Sequence, residues 1–201
     1  MKNIIIVTLV AFVIAAGAGM VYGKDNPVIV METSEGTMEI ELYEKAAPIT
    51  VQNFLWYVDH EFFDGLIFHR VIKGFMVQGG GFTPEMTKKA GNPAIENEAA
   101  NGLKNDKYTL AMARTGAVHS ATSQFFINAK DNDFLNYKAS TQQGFGYCVF
   151  GKVIEGTDVV DVIESVPTGS KNGMDDVPKT PVLIKKCYRK EAKGEKKEKS
   201  E

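Results

Sequence analysis

Hydrophobic and polar residues recur with two different periods along this chain. Val28 to Met31 is a β-branched run, and from Thr37 to Tyr43 the residues Met38, Ile40 and Leu42 alternate with Glu39 and Glu41. A period of two belongs to a half-buried strand. Ser34-Glu35-Gly36 between the two runs reads as a hairpin turn. The period then lengthens. Val51, Phe54, Leu55 and Val58 fall at i, i+3, i+4 and i+7, one face of a helix, and Pro48 stands where a first helical turn tolerates it. Strand-like runs return at Ile67–Ile72, Phe75–Gln78, Tyr108–Ala113, Gln124–Asn128 and Tyr147–Val153. A second helix is predicted from Thr157 as N-cap, with Val159, Val162, Ile163 and Val166 as its apolar stripe and Pro167 as its stop. Val182–Cys187 is the last strand. Eight short strands and two separated helices predict a mainly β protein: a closed eight-stranded antiparallel β-barrel capped by two α-helices.

The ends of the chain lie outside this pattern. Lys2 precedes an apolar stretch from Ile4 to Ala16, and small residues follow at Ala16-Gly17-Ala18-Gly19. That is the layout of a secretory signal peptide, assigned to residues 1–23. The stretch is short for a membrane span, which needs about 20 residues; an uncleaved N-terminal anchor is the alternative. The expected location is therefore the periplasm or cell envelope, with no stable membrane span once the signal is removed. At the other end, Lys185 to Glu201 carries eight basic and four acidic side chains. Residues 189–201 are assigned to a charged disordered tail, because little in them can be buried to offset the entropy of ordering. That leaves 24–188 as one domain, which suits 201 residues with 44% apolar content. A formal net charge of −2 points to neither nucleic acid nor any charged partner, and a monomer is expected. Cys148 and Cys187, both in apolar strand-like runs, read as buried free thiols.

The densest chemistry lies in Phe68-His-Arg-Val-Ile-Lys-Gly-Phe-Met-Val-Gln-Gly-Gly80. An arginine inside an apolar strand is unusual, since charged groups are rarely buried unpaired. Met76 and Gln78 share one face of their strand, and Gln124 and Phe126 share one face of another. A guanidinium, a thioether and two amides can thus line one surface. Other chemistries fit less well. Gly79-Gly80-Gly81 lacks the Lys-Ser/Thr of a phosphate cradle and reads as a tight turn or bulge. His60, His69 and His119 lack metal-ligand spacing. No Gly-x-Ser-x-Gly is present.

These segments, with Ser123-Gln-Phe-Phe-Ile127, Leu110-Ala-Met-Ala-Arg114, Asn132-Asp-Phe-Leu135 and Tyr147-Cys-Val-Phe-Gly-Lys-Val153, resemble the cyclophilin signature, most of all that of bacterial cyclophilins. The similarity runs from about Val28 to Cys187. It implies a peptidyl-prolyl cis/trans isomerase acting on proline-containing polypeptides and assisting the folding of exported proteins, with no metal and no cofactor. Arg70 would be the donor toward the prolyl amide, its fork held partly by Gln78. Phe75, Met76, Phe126 and Leu135 would form the proline socket. Ala113, Arg114 and Gln124 would align the peptide backbone, with Phe134 and Tyr147 completing the rim; His69 would be a structural neighbour. Three positions depart from common family patterns: Arg114 replaces Asn, Phe134 replaces Trp and Tyr147 replaces His. Phe134 has no indole N–H to donate, which implies weak inhibition by cyclosporin-type macrocycles. The rival reading is a proline-binding chaperone or adaptor with little or no turnover. A third makes the basic tail a surface tether.

Overall fold

The computed structural model describes residues 26–191. The signal-peptide reading and residues 192–201 of the expected tail lie outside the described residues. The elements in order are β1 (Val28–Thr33), β2 (Thr37–Leu42), α1 (Pro48–Asp59), β3 (Ile67–Ile72), β4 (Met76–Phe82), β5 (Thr109–Met112), β6 (Phe125–Asn128), β7 (Val149–Glu155), α2 (Thr157–Glu164), β8 (Thr168–Lys171), β9 (Met174–Pro178) and β10 (Val182–Arg189). Eight of the strands close into an antiparallel barrel in the order β1-β10-β3-β4-β6-β5-β7-β2. The barrel and both helices match the expectation from periodicity.

The barrel is filled with side chains. Ile29, Met31, Ile40, Phe68, Leu110, Phe125 and Phe150 are fully buried in one continuous core, which also takes in Val51, Phe54 and Val58 of α1 and Val159, Val160 and Ile163 of α2. Phe54 packs on Phe63, Phe125 and Phe150 with ring centroids 5.0 to 5.5 Å apart. The orphan N–H groups at the start of α1 are met from a distance rather than by Ala47: Glu98 accepts from the backbone of Ile49 and Thr50 and from the Thr50 hydroxyl. α2 lies over the turns that join β1 to β2 and β3 to β4, where Gly36 meets Val159 and the Gly74 N–H donates to Glu164.

Three differences from the periodicity reading have physical causes. In α2 the buried face carries Val160, while Val162 is 48% exposed. Apolar residues occur at both positions, and the Tyr108 hydroxyl and Lys107, held on Asp161, fix the roll of the helix. The helix starts after Gly156, whose φ is 75°, so Thr157 is its first residue and not its cap. The hairpin β8–β9 was not anticipated, because its mostly polar residues carry no alternation. Cys148 and Cys187 are buried and unpaired, as expected. β10 continues through Arg189, whose guanidinium meets the Asp59 carboxylate at 2.6 Å, and Lys190 pairs with Glu39.

Candidate active site

Strand alternation decides which side chains meet outside the barrel. Along β4, Val77 enters the core while Met76 and Gln78 point out; on β6 Ile127 enters and Phe126 leaves; on β5 Leu110 enters and Ala111 leaves. The register places Arg70 opposite Gln78, Gln78 opposite Phe126, Phe126 opposite Ala111 and Ala111 opposite Val149. These residues form one row across five strands.

Arg70 owes its place to a bulge. Phe68 pairs with Gly79 and Arg70 with Gln78, so His69 is an extra residue on β3. Phe68 stays in the core, and Arg70 emerges with its side chain 40% exposed. His69 is 1% exposed, packs on Phe82 with ring centroids 4.6 Å apart, and has no partner for Nδ1. Burial lowers its pKa to about 4; the Arg70 charge acts in the same direction, and contacts with the Ile67 backbone and Gln124 oppose it less strongly. His69 is therefore neutral near pH 7.

The glycines beside it are a bulge, one of the two forms expected. Gly80 has φ of 80°, and a Cβ there would meet the Phe125 ring at 2.9 Å; one on Gly81 would lie 2.6 Å from the Gln124 amide. Without side chains, β4 lets Gln124 fold flat across it. Gln78 Nε2 then donates to Gln124 Oε1 at 3.0 Å. The Gln78 amide nitrogen is thus engaged by Gln124, while Oε1, the atom that could accept from the Arg70 fork directly across the ladder, takes no part in that bond. The charged neighbour of Arg70 is Asp176, at 3.6 Å from Nε.

Arg70, Phe75, Met76, Gln78, Ala113, Arg114, Phe126, Leu135 and Tyr147 line a single open cavity of about 130 Å³. A neighbouring hollow of about 180 Å³ shares Gln78, Ala113 and Arg114 as a wall and adds Gln124, Lys88 and Thr122. Of the residues expected to catalyse or to bind the peptide, Phe134 and Gln124 stand outside the first cavity. Phe134 is 61% exposed and stacks on Phe75 at 5.6 Å, extending the apolar rim. Phe126 meets Tyr147 edge-on at 5.7 Å. Arg114 is committed to the wall: its Nε donates to the Gly146 carbonyl, Nη1 donates to the Thr115 carbonyl, and the guanidinium lies 4.7 Å from the Tyr147 ring. A larger hollow of about 250 Å³ lies between α1 and β10, but Asp59, Glu61, Asp64, Lys186 and Arg189 line it, and Asp59 and Arg189 already satisfy each other.

A set of buried asparagines positions this wall, and the sequence reading assigned them no role. Asn132 Nδ2 donates to the Phe75 carbonyl at 2.9 Å and to Asn128 Oδ1 at 2.8 Å. Asn128 Nδ2 in turn donates to Thr109 Oγ1, and the Asn105 N–H donates to Asn136 Oδ1. The Asn132 carbonyl accepts from the Leu135 N–H, and the Leu135 carbonyl from the Tyr147 N–H. Phe75, Leu135 and Tyr147, from three separate segments, are tied to one network in which Asn128 and Asn132 are fully buried. Asparagine is common in turns, so single positions gave no signal.

Such a site needs neither nucleophile nor metal: it offers an apolar recess, a guanidinium at its edge and two linked amides beside it. Known proteins match the chain closely. It matches the family described as cyclophilin type peptidyl-prolyl cis-trans isomerase/CLD over residues 28–189. It is 58% identical to peptidyl-prolyl cis-trans isomerase cyp18 of Streptomyces antibioticus over 154 residues, covering 77% of this chain and 93% of that protein. It is 54% identical to peptidyl-prolyl cis-trans isomerase B of Escherichia coli over 157 residues, covering 78% of this chain and 96% of that one. A crystal structure of a Cryptosporidium parvum cyclophilin type peptidyl-prolyl cis-trans isomerase, in the presence of the dipeptide Ala-Pro, superposes with a TM-score of 0.69 at 29% identity, covering 82% of this chain and 99% of that one. Barrel, groove and sequence agree, and the chain belongs to the cyclophilin-type peptidyl-prolyl cis-trans isomerase family.

Proposed function

We propose that this protein accelerates cis/trans exchange of X–Pro bonds in the groove beside Arg70. The observation that carries the reading is the cavity itself, which joins an apolar socket to a guanidinium and is open to solvent. An X–Pro bond prefers trans by only about 0.5–1 kcal/mol, yet amide resonance sets a barrier of about 18–20 kcal/mol. Unaided exchange takes tens of seconds. No bond is made or cleaved, so the enzyme has only to favour the twisted amide over both planar forms.

Phe75, Met76, Phe126 and Leu135 hold the proline ring, with Tyr147 and Phe134 extending the socket. With the ring fixed, rotation is confined to the segment before it. Arg70 then donates toward the prolyl nitrogen. That nitrogen's lone pair is delocalised in the planar amide and becomes a better acceptor once the amide twists. The interaction strengthens in the transition state, which is what speeds a reaction. Gln78 and Gln124 offer a polar edge for the backbone before the proline, beside Ala113. Arg114, anchored to carbonyls and stacked on Tyr147, acts by shaping this wall.

The test is cis-to-trans exchange of a short X–Pro peptide by residues 24–201, compared with Arg70→Ala. Loss of the donor is expected to lower kcat/KM by about 10²–10³ with the melting temperature unchanged. A folded parent that gives no acceleration leaves a proline-binding adaptor instead.

The reading extends to location. The arrangement of Lys2, the apolar stretch Ile4–Ala16 and the small residues after it supports export, and hence a role in folding exported proteins. Sequencing the N-terminus of the protein recovered from cell fractions tests this; an intact residue 1 in the cytoplasm overturns it.

A further inference from the structure

The geometry assigns Asp176 to the positioning of Arg70. This inference rests on Arg70 being the donor to the prolyl amide. Asp176 Oδ2 lies 3.6 Å from Arg70 Nε, and both side chains are partly open to solvent, at 39% and 40%. The carboxylate arrives on β9, in the hairpin that the chain's periodicity did not announce.

That hairpin is docked firmly. Val177 packs with Ile67 and Met86 outside the barrel, with Met174, Phe82 and Leu183 around them. At its far end Lys171 Nζ donates to the Pro84 carbonyl. Asp176 is thus delivered by a braced element and not by a free loop. Its backbone is unusual as well. A φ of 61° places it in the left-handed region, which a residue with a Cβ enters at a cost. Asp tolerates that region better than most residues, and of the five non-glycine residues found there among the described residues, Asp176 is the one whose carboxylate faces the Arg70 guanidinium.

The chemical role follows from which nitrogen is met. The carboxylate approaches Nε at ion-pair distance, which leaves the two terminal nitrogens for the groove. An arginine side chain has many rotamers, and ordering it during the reaction is costly. A charge that holds the Nε edge beforehand removes part of that cost. An ion pair this exposed is weak, so the effect is a graded loss and not an abolition.

The experiment compares the parent with Asp176→Asn and Asp176→Gly in kcat, KM and the NMR resonance of the Arg70 Nε–Hε group. Asn keeps the side-chain shape and tolerates positive φ; Gly removes the carboxylate and the strain together. Both variants are expected to lower kcat about three- to fivefold, to leave KM unchanged and to shift the Arg70 resonance. Parent-like kcat in Asp176→Asn, or an unmoved resonance, overturns the assignment. So does a loss confined to Asp176→Gly, which traces the effect to the backbone. Arg70→Ala is measured alongside. If it is inactive and Asp176→Asn is parent-like, only the Asp176 assignment fails; if it is as active as the parent, the donor reading fails and takes this one with it.

Discussion

Phe125 and Phe126 are neighbours on one strand and belong to different worlds. Phe125 lies inside the barrel, edge-on to Phe54, Phe63 and Phe68. Phe126 lies outside it, against Met76, Leu135 and Tyr147, beside an open cavity of about 130 Å³. Both faces of the sheet are apolar, built from the same strands by alternate residues. The inner one is closed on itself. The outer one is left incomplete, and the incompleteness is what a proline ring can fill. The comparison separates apolar surface that stabilises the fold from apolar surface held in reserve for a ligand.

The sharpest way to break that comparison is to truncate each neighbour. Phe125→Ala is expected to cost about 3–5 kcal/mol, read as a lower urea midpoint, with kcat/KM of the folded fraction little changed. Phe126→Ala also removes a ring that is only 4% exposed, so it should cost stability as well, but it alone should lower kcat/KM more than tenfold, through the socket contacts it removes. Equal stability losses and equal kinetics would erase the distinction.

His69 sits at the bulge between the two regions and offers a second test, through pH. Its pKa falls from 6.5 to about 4 on folding, chiefly through burial. Between these values the unfolded chain binds the proton and the folded one does not. The stability linked to His69 is therefore fully present above pH 6.5 and is lost as pH falls toward 4, by up to roughly 3 kcal/mol. The urea midpoint should drop across that window, and less steeply in His69→Gln. A parallel fall in both proteins removes His69 from the account.

The smallest effect concerns the rim. Phe134 is exposed and stacks on Phe75 without offering a donor. Phe134→Trp adds an indole N–H, and one new hydrogen bond is worth about 1 kcal/mol. Cyclosporin-type macrocycles should bind the variant about fivefold more tightly than the parent, by titration calorimetry. Tight binding by the parent contradicts the expectation.

The sequence revealed what repeats and what is costly. Alternation at Met38, Ile40 and Leu42 and the stripe Val51–Phe54–Leu55–Val58 announce elements because burial imposes a period. Arg70 and Gln78 announce a site because polar groups seldom interrupt apolar strands without cause. What stayed hidden has no period. β8 and β9 are mostly polar and carry no alternation, and their one local signal is the Asn172-Gly173 pair at the turn. The asparagine network around Asn132 depends on contacts between segments far apart in sequence, so no single stretch contains it. The Asp176 carboxylate beside Arg70 is hidden for the same reason, since a hairpin more than a hundred residues away brings it in.

The closed order of the strands has a consequence for the company this protein keeps. β1 is paired on one side with β10 and on the other with β2, so the cylinder ends on no open edge. A catalyst of prolyl exchange meets chains before they have folded, when their extended segments are ready to join any row of free N–H and C=O groups. An open edge would template such pairing and hold the client, or nucleate an aggregate. The barrel wall gives those segments nothing to zip onto and leaves open edges to the short β8–β9 hairpin alone among the described strands, so little holds the client back.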